Sequence, residues 1–581
     1  MKHFPSFLMT AAAIVLACSC SHRLKDGEYT LTVLSTNDVH STWFDSTYTG
    51  GRIRPSLFAM NYYIDSVRTA DGAGNVLLVD AGDCLQGDNA AYYFNYVDTL
   101  SPHLFPRLLE YMQYDCVAMG NHDIETGHPV YDRVQAELQK AGAPFLAGNI
   151  IRTADGQPYF PLYKVVNKAG LKIAILGYNN ANIKAWLGES LWSGMDFLPI
   201  KSIVQRDVDY VREKEHPDVV ITAMHSACGR GDGSILEAEA LDVFNSVRGV
   251  DWVICGHDHQ PHVEVRDSSA LLNSGSHSRY VAHGKMHLSV KDGAVVSKTF
   301  EADLIPVDPQ KADPVMRAHF RPEFEAVRAF TLQEVGILNT LIRTRDAFAG
   351  MSDYMNLIHT LCLQQAPTEI SIAAPLTYNA YLPAGTLVFN DLFTLYPFEN
   401  QLYVITMTGR ELQAYLEASY DRWIQDGQEH VLKIVPRRGA RTQQEGWSFA
   451  ERSYNFDSAA GINYTVDVTR PRGERVQISS MADGTPFQPD RTYHVALTSY
   501  RASGGGTLLD EAGIDTGRID ERVVARYPEI RNLLYDYLME NGSIDPETIG
   551  NPAVTGRWTF VPEKGRRQIQ KDMDLLFNRQ K

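Results

Sequence analysis

The sequence predicts a layered α/β domain followed by a separate α+β domain, and three observations carry this prediction. The chain has 581 residues, more than one hydrophobic core usually serves, so about two to four domains are expected. Its first half repeats short apolar, β-branched runs that end in polar turns, and continuous apolar runs are typical of strands buried on both faces. Helical patterns lie between these runs, so helices are expected to cover the sheets.

The elements follow in chain order. Six apolar runs of the first half predict strands, at residues 29–34, 76–79, 116–119, 172–176, 219–222 and 252–255. Residues 203–214 carry helical periodicity. Prolines then punctuate a charged, helix-prone stretch at 313–328, which indicates a connector between domains. In the second half the pattern predicts strands at 370–373, 402–405 and 464–468 and helices at 355–363 and 409–419.

The N-terminus carries Lys2, an apolar run over 4–17 and small residues around Cys18 and Cys20. This pattern resembles a bacterial lipoprotein signal, in which Cys18 becomes the lipidated first residue; Cys20 is the alternative, and a plain secretory signal is the other interpretation. We therefore expect a chain exported in a Gram-negative bacterium and held at the periplasmic or cell surface of a membrane by acyl chains. The predicted parts are a signal peptide (1–20), a first domain (28–305), a helical connector (306–345), a second domain (346–561) and a polar tail (562–581).

Charge and cysteine content exclude several classes of protein. Lys and Arg number 54 against 70 Asp and Glu, a formal net charge of −16, which argues against a nucleic-acid polymer as partner. Five widely spaced cysteines remain after the signal, with no close pair that would suggest a zinc-thiolate site or a readable disulfide framework.

Metal-ligating residues follow the predicted strands of the first domain. In a layered α/β sheet, loops at one end of the strands converge, so residues far apart in sequence can meet there. One turn, 177–180, offers only amides; the others supply two Asp, one Asn and four His, about the number that two divalent ions need if one carboxylate bridges them. These candidates are Asp38, His40, Asp83, Asn121, His225, His257 and His259.

The ordered set D-x-H, G-D, G-N-H-D, H and G-H-x-H resembles the binuclear metallophosphoesterase superfamily. The resemblance implies a four-layer α/β/β/α sandwich that binds two divalent ions, zinc, manganese or cobalt. It implies that Asp38, His40 and His259 hold one ion. By the same resemblance Asn121, His225 and His257 hold the other, and Asp83 bridges the two.

The resemblance also implies a catalytic pair. His122 follows Asn121, and in the nucleotidase branch this histidine stabilises the transition state or protonates the leaving group, oriented by a carboxylate three residues later. That carboxylate is Glu125 here, where the family more often has Asp. Asp123 is a competing partner for the histidine.

The second half resembles the C-terminal domain of the periplasmic 5′-nucleotidase and 2′,3′-cyclic-nucleotide phosphodiesterase family. The resemblance rests on stretches that include 389–392, 395–402, 453–457 and 499–505. It implies that Phe398 and Tyr500 sandwich the nucleobase, and Asn455 and Asp457 are candidates for hydrogen bonds to base or ribose.

One departure from the 5′-nucleotidase branch bears on the substrate. That branch has an arginine that grips the terminal phosphate, and the matching segment 374–380 has none. The stretches 373–375, 454–457 and 500–502 instead resemble the cyclic-phosphodiesterase branch, where the phosphate carries one charge. This resemblance implies metal-dependent hydrolysis of 2′,3′-cyclic nucleotides and 3′-nucleotides by a metal-bound hydroxide. A 5′-nucleotidase or UDP-sugar hydrolase is the alternative, and a non-catalytic nucleotide-binding surface protein is a further one.

Overall fold

The structure of the chain is a computed structural model. It describes residues 24–398, 400–425, 429–437 and 446–577. The candidate lipidation sites Cys18 and Cys20 and the predicted signal peptide lie outside the described residues.

Two six-stranded mixed sheets form the first half of the chain. The order in the first sheet is Ala294–Pro306, Tyr280–Lys291, Gly27–Thr36, Val76–Asp80, Cys116–Ala118 and Phe145–Leu146, of which the last four are mutually parallel. The order in the second is His262–Val265, Ala270–Asn273, Trp252–Cys255, Val219–His225, Leu171–Asn179 and Tyr163–Lys168, with the middle four parallel. A small ribbon pairs Ile150–Arg152 with Met195–Phe197.

Three buried layers show that the sheets pack face to face with helices outside. Between the sheets, apolar side chains such as Val33 and Val79 of the first meet Ile175 and Ile221 of the second. The outer face of each sheet packs against helices in its own separate core. This α/β/β/α arrangement confirms the predicted fold class, and continuous burial on both faces explains why these strands read as unbroken apolar runs.

The second half is an α+β unit around a five-stranded sheet. Its strand order is Ser458–Ala460, Ile370–Ala373, Thr492–Thr498, Gln401–Thr408 and Val523–Glu529. Two three-stranded sheets flank it: Gly385–Val388, Glu334–Leu338 and Ser543–Ile544; and Val476–Met481, Ile462–Asp467 and Trp558–Val561. Two-stranded ribbons join Ile342–Arg343 to Tyr381–Leu382 and Ile434–Pro436 to Trp447–Phe449.

Helices complete both halves. The α-helices of the first half are Leu57–Asp71, Asn89–Tyr92, Leu104–Met112, Asn121–Ile124, His128–Ala141, Ile183–Trp186, Glu189–Trp192, Ile200–Glu215 and Ala240–Ser246. Those that follow are Pro314–His319, Arg321–Thr331, Asp353–Gln365, Phe389–Leu395, Gly409–Trp423, Ser499–Ala502, Leu508–Glu511, Ile530–Asn541, Pro546–Ile549, Pro552–Thr555 and Glu563–Phe577. None of the helices in the described ranges combines the length and apolar character needed to cross a membrane.

Two boundaries differ from the sequence predictions. The strand Glu334–Leu338, inside the predicted connector, already pairs within the second domain; it is short and contains Gly336, so its pattern is weak. The predicted polar tail contains the helix Glu563–Phe577, which buries Ile569 and Met573. Only one narrow stripe of that helix is apolar, which is why its composition suggested a tail. The other boundaries stay predictions.

Candidate active site

The predicted ligands meet at the carboxyl ends of the parallel strands of both sheets. Asp38 and His40 follow the strand Gly27–Thr36, and Asp83 follows the neighbouring strand Val76–Asp80. From the second sheet, His225 ends its strand and the turn after Trp252–Cys255 carries His257 and His259. Because the two sheets stack, the loops from both approach one another at this edge.

Asp38, His40 and His259 form one group. Their ligand atoms all lie within 4.8 Å of one another. The two imidazoles present Nε2 to each other at 2.9 Å, and Asp38 Oδ1 lies 3.4 Å from His259 Nε2. The other oxygen of Asp38 accepts hydrogen bonds from the Asn37 side-chain amide and from the His257 backbone N–H. These two bonds fix the carboxylate group with Oδ1 facing the histidines.

Asp83, His225 and His257 form a second group, again with ligand atoms within 4.8 Å. His225 Nε2 lies 3.0 Å from Asp83 Oδ2. The opposite nitrogen of His225 is 2.8 Å from the Ala81 carbonyl, which fixes the tautomer and leaves Nε2 as the ligand atom. Asn121 lies beside this group because the backbone N–H of the next residue, His122, donates to Asp83 Oδ1.

The backbone at the site is held in unusual conformations. Asp38, His40, Asp83, His257 and His259 all have positive φ, between 43° and 82°, a region that costs free energy for residues other than glycine and is concentrated at functional sites. The adjoining glycines allow close approach: a Cβ at position 120 would lie 2.2 Å from Asp83 Oδ1, and one at position 256 would lie 2.6 Å from Asp38 Oδ2.

Burial and mutual charge shift the pKa values at the site. Burial is the largest influence on Asp38 and raises its pKa, but contact with His259 and the charge of His225 outweigh it and hold the pKa at about 2. Burial lowers the pKa of His40 to about 3, so this imidazole is neutral and able to bind a metal. Burial also opposes protonation of His225, but the Asp83 carboxylate outweighs it and raises the pKa to about 9.

The donor set fits divalent cations. Asp38 Oδ1 and His225 Nε2 are buried and make no hydrogen bond of normal geometry, an arrangement that is costly unless another group satisfies them. Carboxylate oxygens and imidazole nitrogens together suit zinc, manganese and cobalt. A cation bound at His225 Nε2 would require the imidazole in its neutral form, so metal binding would favour loss of any proton held there.

His122 pairs with Glu125 and not with Asp123. His122 Nδ1 lies 2.5 Å from Glu125 Oε2, and its ring centroid is 5.4 Å from that of His40. Asp123 is fully buried and accepts hydrogen bonds from four backbone N–H groups, those of Asp83, Cys84, Leu85 and Gly120. Asp123 therefore holds the Asp83 turn against the Gly120 turn, and its carboxylate is not available to the histidine.

The candidate base-binding residues lie in the second domain, and the segment that carries Tyr500 contacts the first domain. Phe398 and Tyr500 are 40% and 37% exposed, so both rings can receive a ligand. The short helix that carries Tyr500, Ser499–Ala502, contacts the helix Ile183–Trp186 of the first domain. Trp186 stacks on His257, with ring centroids 5.3 Å apart and planes at 21°. The helix that carries Tyr500 thus contacts the helix whose Trp186 packs on a predicted ligand.

Asp457 is not placed to contact a base or ribose, which corrects that part of the prediction. It is fully buried, and Arg501 forms a paired hydrogen bond to its two oxygens at 2.7 and 2.8 Å. The remaining N–H groups of Arg501 donate to Asn455 Oδ1 and to the carbonyls of Tyr454 and Gly505, so all five are used. Asp457 and Arg501 therefore join the turn that carries Tyr454 to the segment that carries Tyr500.

We expect Asp457→Asn to lower the free energy of unfolding by about 3–5 kcal/mol, because it leaves the buried Arg501 charge without its partner. Urea denaturation measures this. The matched control is Asp490→Asn: Asp490 pairs with Arg410 in similar geometry, at 2.7 Å, but both side chains are more than two-thirds exposed, so little or no loss of stability is expected. Equal effects of the two changes would contradict the structural role given to Asp457.

Sequence reasoning missed several residues around the site. His277 lies with its ring 5.2 Å from His40, and its backbone N–H donates to the Asp38 carbonyl. Tyr454 is 37% exposed and packs edge-on against Tyr500 at 6.4 Å. The motif around Asn455 contained Tyr454, and an exposed aromatic beside candidate ligand-binding residues was the signal available; nothing local marked His277 or Trp186.

Comparison with known proteins adds two family matches. Residues 31–261 match the family model described as calcineurin-like phosphoesterase, and residues 334–511 match the 5′-nucleotidase C-terminal domain. The second match begins at the strand Glu334–Leu338, inside the predicted connector.

Individual relatives are distant but similar over most of this chain. A 2′,3′-cyclic-nucleotide 2′-phosphodiesterase/3′-nucleotidase of Haemophilus influenzae is 25% identical, with 97% of this chain and 92% of that protein covered. The trifunctional nucleotide phosphoesterase protein YfkN of Bacillus subtilis is 23% identical over 92% of this chain, which spans only 39% of that longer protein. The crystal structure of a putative 5′-nucleotidase from Staphylococcus aureus shares the fold, with a TM-score of 0.73, 20% identity, and coverage of 91% of this chain and 99% of that one.

Proposed function

Because the chain belongs to the calcineurin-like phosphoesterases that carry a 5′-nucleotidase C-terminal domain, and is thus a phosphoric ester hydrolase, we propose that it hydrolyses 2′,3′-cyclic nucleotides and 3′-nucleotides. The observation that carries the hydrolytic part is the convergence of two groups of buried carboxylates and imidazoles at one edge of the stacked sheets. The substrate part is supported by the exposed aromatic residues of the second domain, of which Tyr500 lies on a helix that contacts the first domain.

We assign the metal ligands as the sequence predicts them. One divalent ion would be held by Asp38, His40 and His259, and another by Asn121, His225 and His257, with Asp83 shared. Zinc, manganese and cobalt are the candidate ions. Two such ions supply positive charge against the phosphate oxygens and activate water for in-line attack.

The protein's own groups supply the remaining steps. His122 carries a proton to the leaving alkoxide, and the Glu125 carboxylate at 2.5 Å orients its ring and stabilises its charged form. Phe398 and Tyr500 bind the base by stacking, an interaction of about 1–3 kcal/mol per base that tolerates different bases. Asn455 can donate from its amide nitrogen to the substrate, because only its oxygen is engaged by Arg501.

The arrangement of arginines favours cyclic esters over phosphate monoesters. Segment 374–380 contains no arginine, and the nearby Arg501 is 3% exposed with every N–H donated within the protein. A dianionic monoester, at the 3′ or the 5′ position, would therefore lack a bidentate clamp, whereas a cyclic ester carries a single charge. The preference for 3′ over 5′ esters is supported by a relative. The Haemophilus influenzae relative is named for the cyclic and 3′ activities. Hydrolysis of 5′-nucleotides or UDP-sugars is the second candidate.

The N-terminal sequence also supports export and membrane anchoring. The apolar run before Cys18 is of signal-peptide length, and a lipid on this cysteine would place the enzyme where extracellular nucleotides arrive. This part of the proposal depends on residues 1–20 alone.

A substrate panel tests the proposal. We expect metal-loaded protein to release phosphate from 3′-AMP and to open 2′,3′-cyclic AMP with a kcat/KM at least about tenfold above that for 5′-AMP. Chelation should abolish all three activities, and manganese, cobalt or zinc should restore them, because the ligand cluster needs cations to act. Activity on 5′-AMP alone would transfer the assignment to the 5′-nucleotidase alternative.

A further inference from the structure

Glu237 lies at the edge of the candidate metal centre, and no step described so far uses it. Its backbone carbonyl accepts hydrogen bonds from the Ala227 N–H at 3.0 Å and from the Ser226 hydroxyl at 3.1 Å. Both donors directly follow the predicted ligand His225. Glu237 is therefore anchored to the site by its backbone, although it is twelve residues away along the chain.

The carboxylate of Glu237 lies on the side of the metal centre that faces the second domain. Its Oε2 is 3.9 Å from His257 Nε2, and the side chain is 40% exposed. Trp186 stacks on the same imidazole, and its helix contacts the helix that carries Tyr500. Burial is the main reason that the pKa of Tyr500 is raised, and the negative charge of Glu237 contributes to the increase across the domain interface.

The position of Glu237 determines which part of a substrate it faces. In the proposed function the scissile phosphate lies at the metal ligands and the base lies on Tyr500, so the ribose must span the space between them. Glu237 borders that space from the metal side. A ribose hydroxyl can donate a hydrogen bond to a carboxylate, whereas a second phosphate, one sugar away from the first, brings like charge toward it.

We propose that Glu237 is a specificity-determining residue that excludes nucleotides bearing a second phosphate group. The inference rests on the proposed function, because it takes the location of the ribose from it. Its physical basis is electrostatic repulsion between the Glu237 carboxylate and the second phosphate of a competing nucleotide. Such repulsion is a common source of specificity where attraction alone discriminates poorly. Glu237 therefore favours nucleotides that carry one phosphate group, the group whose ester bond is hydrolysed.

The test compares 3′-AMP with adenosine 3′,5′-bisphosphate in the wild type and in Glu237→Gln, which removes the charge and keeps the size. We expect the ratio of kcat/KM for the bisphosphate to that for 3′-AMP to rise about tenfold, the effect of removing one like charge at short range near a protein surface. Asp232→Asn is the matched control, since it removes a charge from the exposed part of the same loop and should leave the ratio unchanged. An unchanged ratio in Glu237→Gln overturns the proposal.

Two further measurements distinguish this role of Glu237 from a failure of the proposed function and from a role in holding His257. Calorimetric binding of the same two nucleotides to metal-loaded proteins that also carry His122→Gln, which slows turnover, gives the ratio from affinities. If neither nucleotide is hydrolysed, the proposed function fails, while the binding ratio still decides the role of Glu237. The metal content of Glu237→Gln is measured in parallel: two ions per chain with a changed ratio support a role toward substrate, and lost metal with an unchanged ratio shows that Glu237 only holds His257.

Discussion

Replacing Asp83 with asparagine is expected to reduce phosphate release by at least about a thousandfold, equivalent to roughly 4 kcal/mol of transition-state stabilisation, while the chain stays folded. Asp83 is 1% exposed and lies at the centre of the site, with one oxygen 3.0 Å from His225 Nε2 and the other accepting the His122 backbone N–H. Asparagine keeps the shape and one acceptor but loses the charge that a shared ligand must offer to two cations.

Phosphate release from the preferred nucleotide and metal content by elemental analysis measure the effect of this change. Circular dichroism and thermal unfolding check that the fold is retained. Asp155→Asn is the control, because this aspartate is exposed and pairs only locally with Arg152 and Gln157. Turnover of Asp83→Asn at the rate of the wild type would rule out a shared-ligand role for Asp83.

Replacing His122 with glutamine is expected to lower kcat about 10²- to 10⁴-fold, the usual contribution of general acid–base catalysis, with little change in KM or metal content. The reason is the position of the ring: it sits beside His40, and Glu125 Oε2 contacts its Nδ1 at 2.5 Å. Glutamine is polar and similar in length but cannot donate a proton at the required step.

Variants of the partner carboxylate extend this prediction. Glu125→Gln should lower kcat about 10- to 100-fold because the imidazolium loses its stabilising charge, and Glu125→Asp should recover part of that loss. His128→Gln is the matched control: His128 pairs with Asp132 at 3.2 Å in a comparable histidine–carboxylate contact on the following helix. If kcat of His122→Gln stayed within a factor of two of the wild type, His122 would have no role in proton transfer.

The candidate ligands could be found from sequence because each follows a strand that is recognisable by its own apolar run. Parallel strands of one sheet bring their following loops to one edge, which groups Asp38 with Asp83. Joining them to His225, on the second sheet, also requires the two sheets to stack. The four-layer architecture came from the resemblance, and the stacking of the two sheets confirms it.

What the sequence did not reveal depends on contacts between distant segments. Asp457 resembles a substrate-binding residue until its partner Arg501, 44 residues later, is seen to use both of its oxygens. Asp123 is adjacent to His122 in sequence, but the helical turn directs its carboxylate to backbone N–H groups across the site. Such pairings are set by tertiary packing, on which residue spacing carries no information.

The four hydrogen bonds that Asp123 accepts have a consequence for how the enzyme acquires its ions. They hold the turn of Asp83 in its strained conformation through contacts within the protein, so the turn does not have to form when a cation arrives. We therefore expect the turn to keep its conformation when chelation removes a bound ion, so that another ion can bind without refolding. Because the donors suit zinc, manganese and cobalt alike, we expect the ion that occupies the site to depend on the supply around the protein as well as on the ligands.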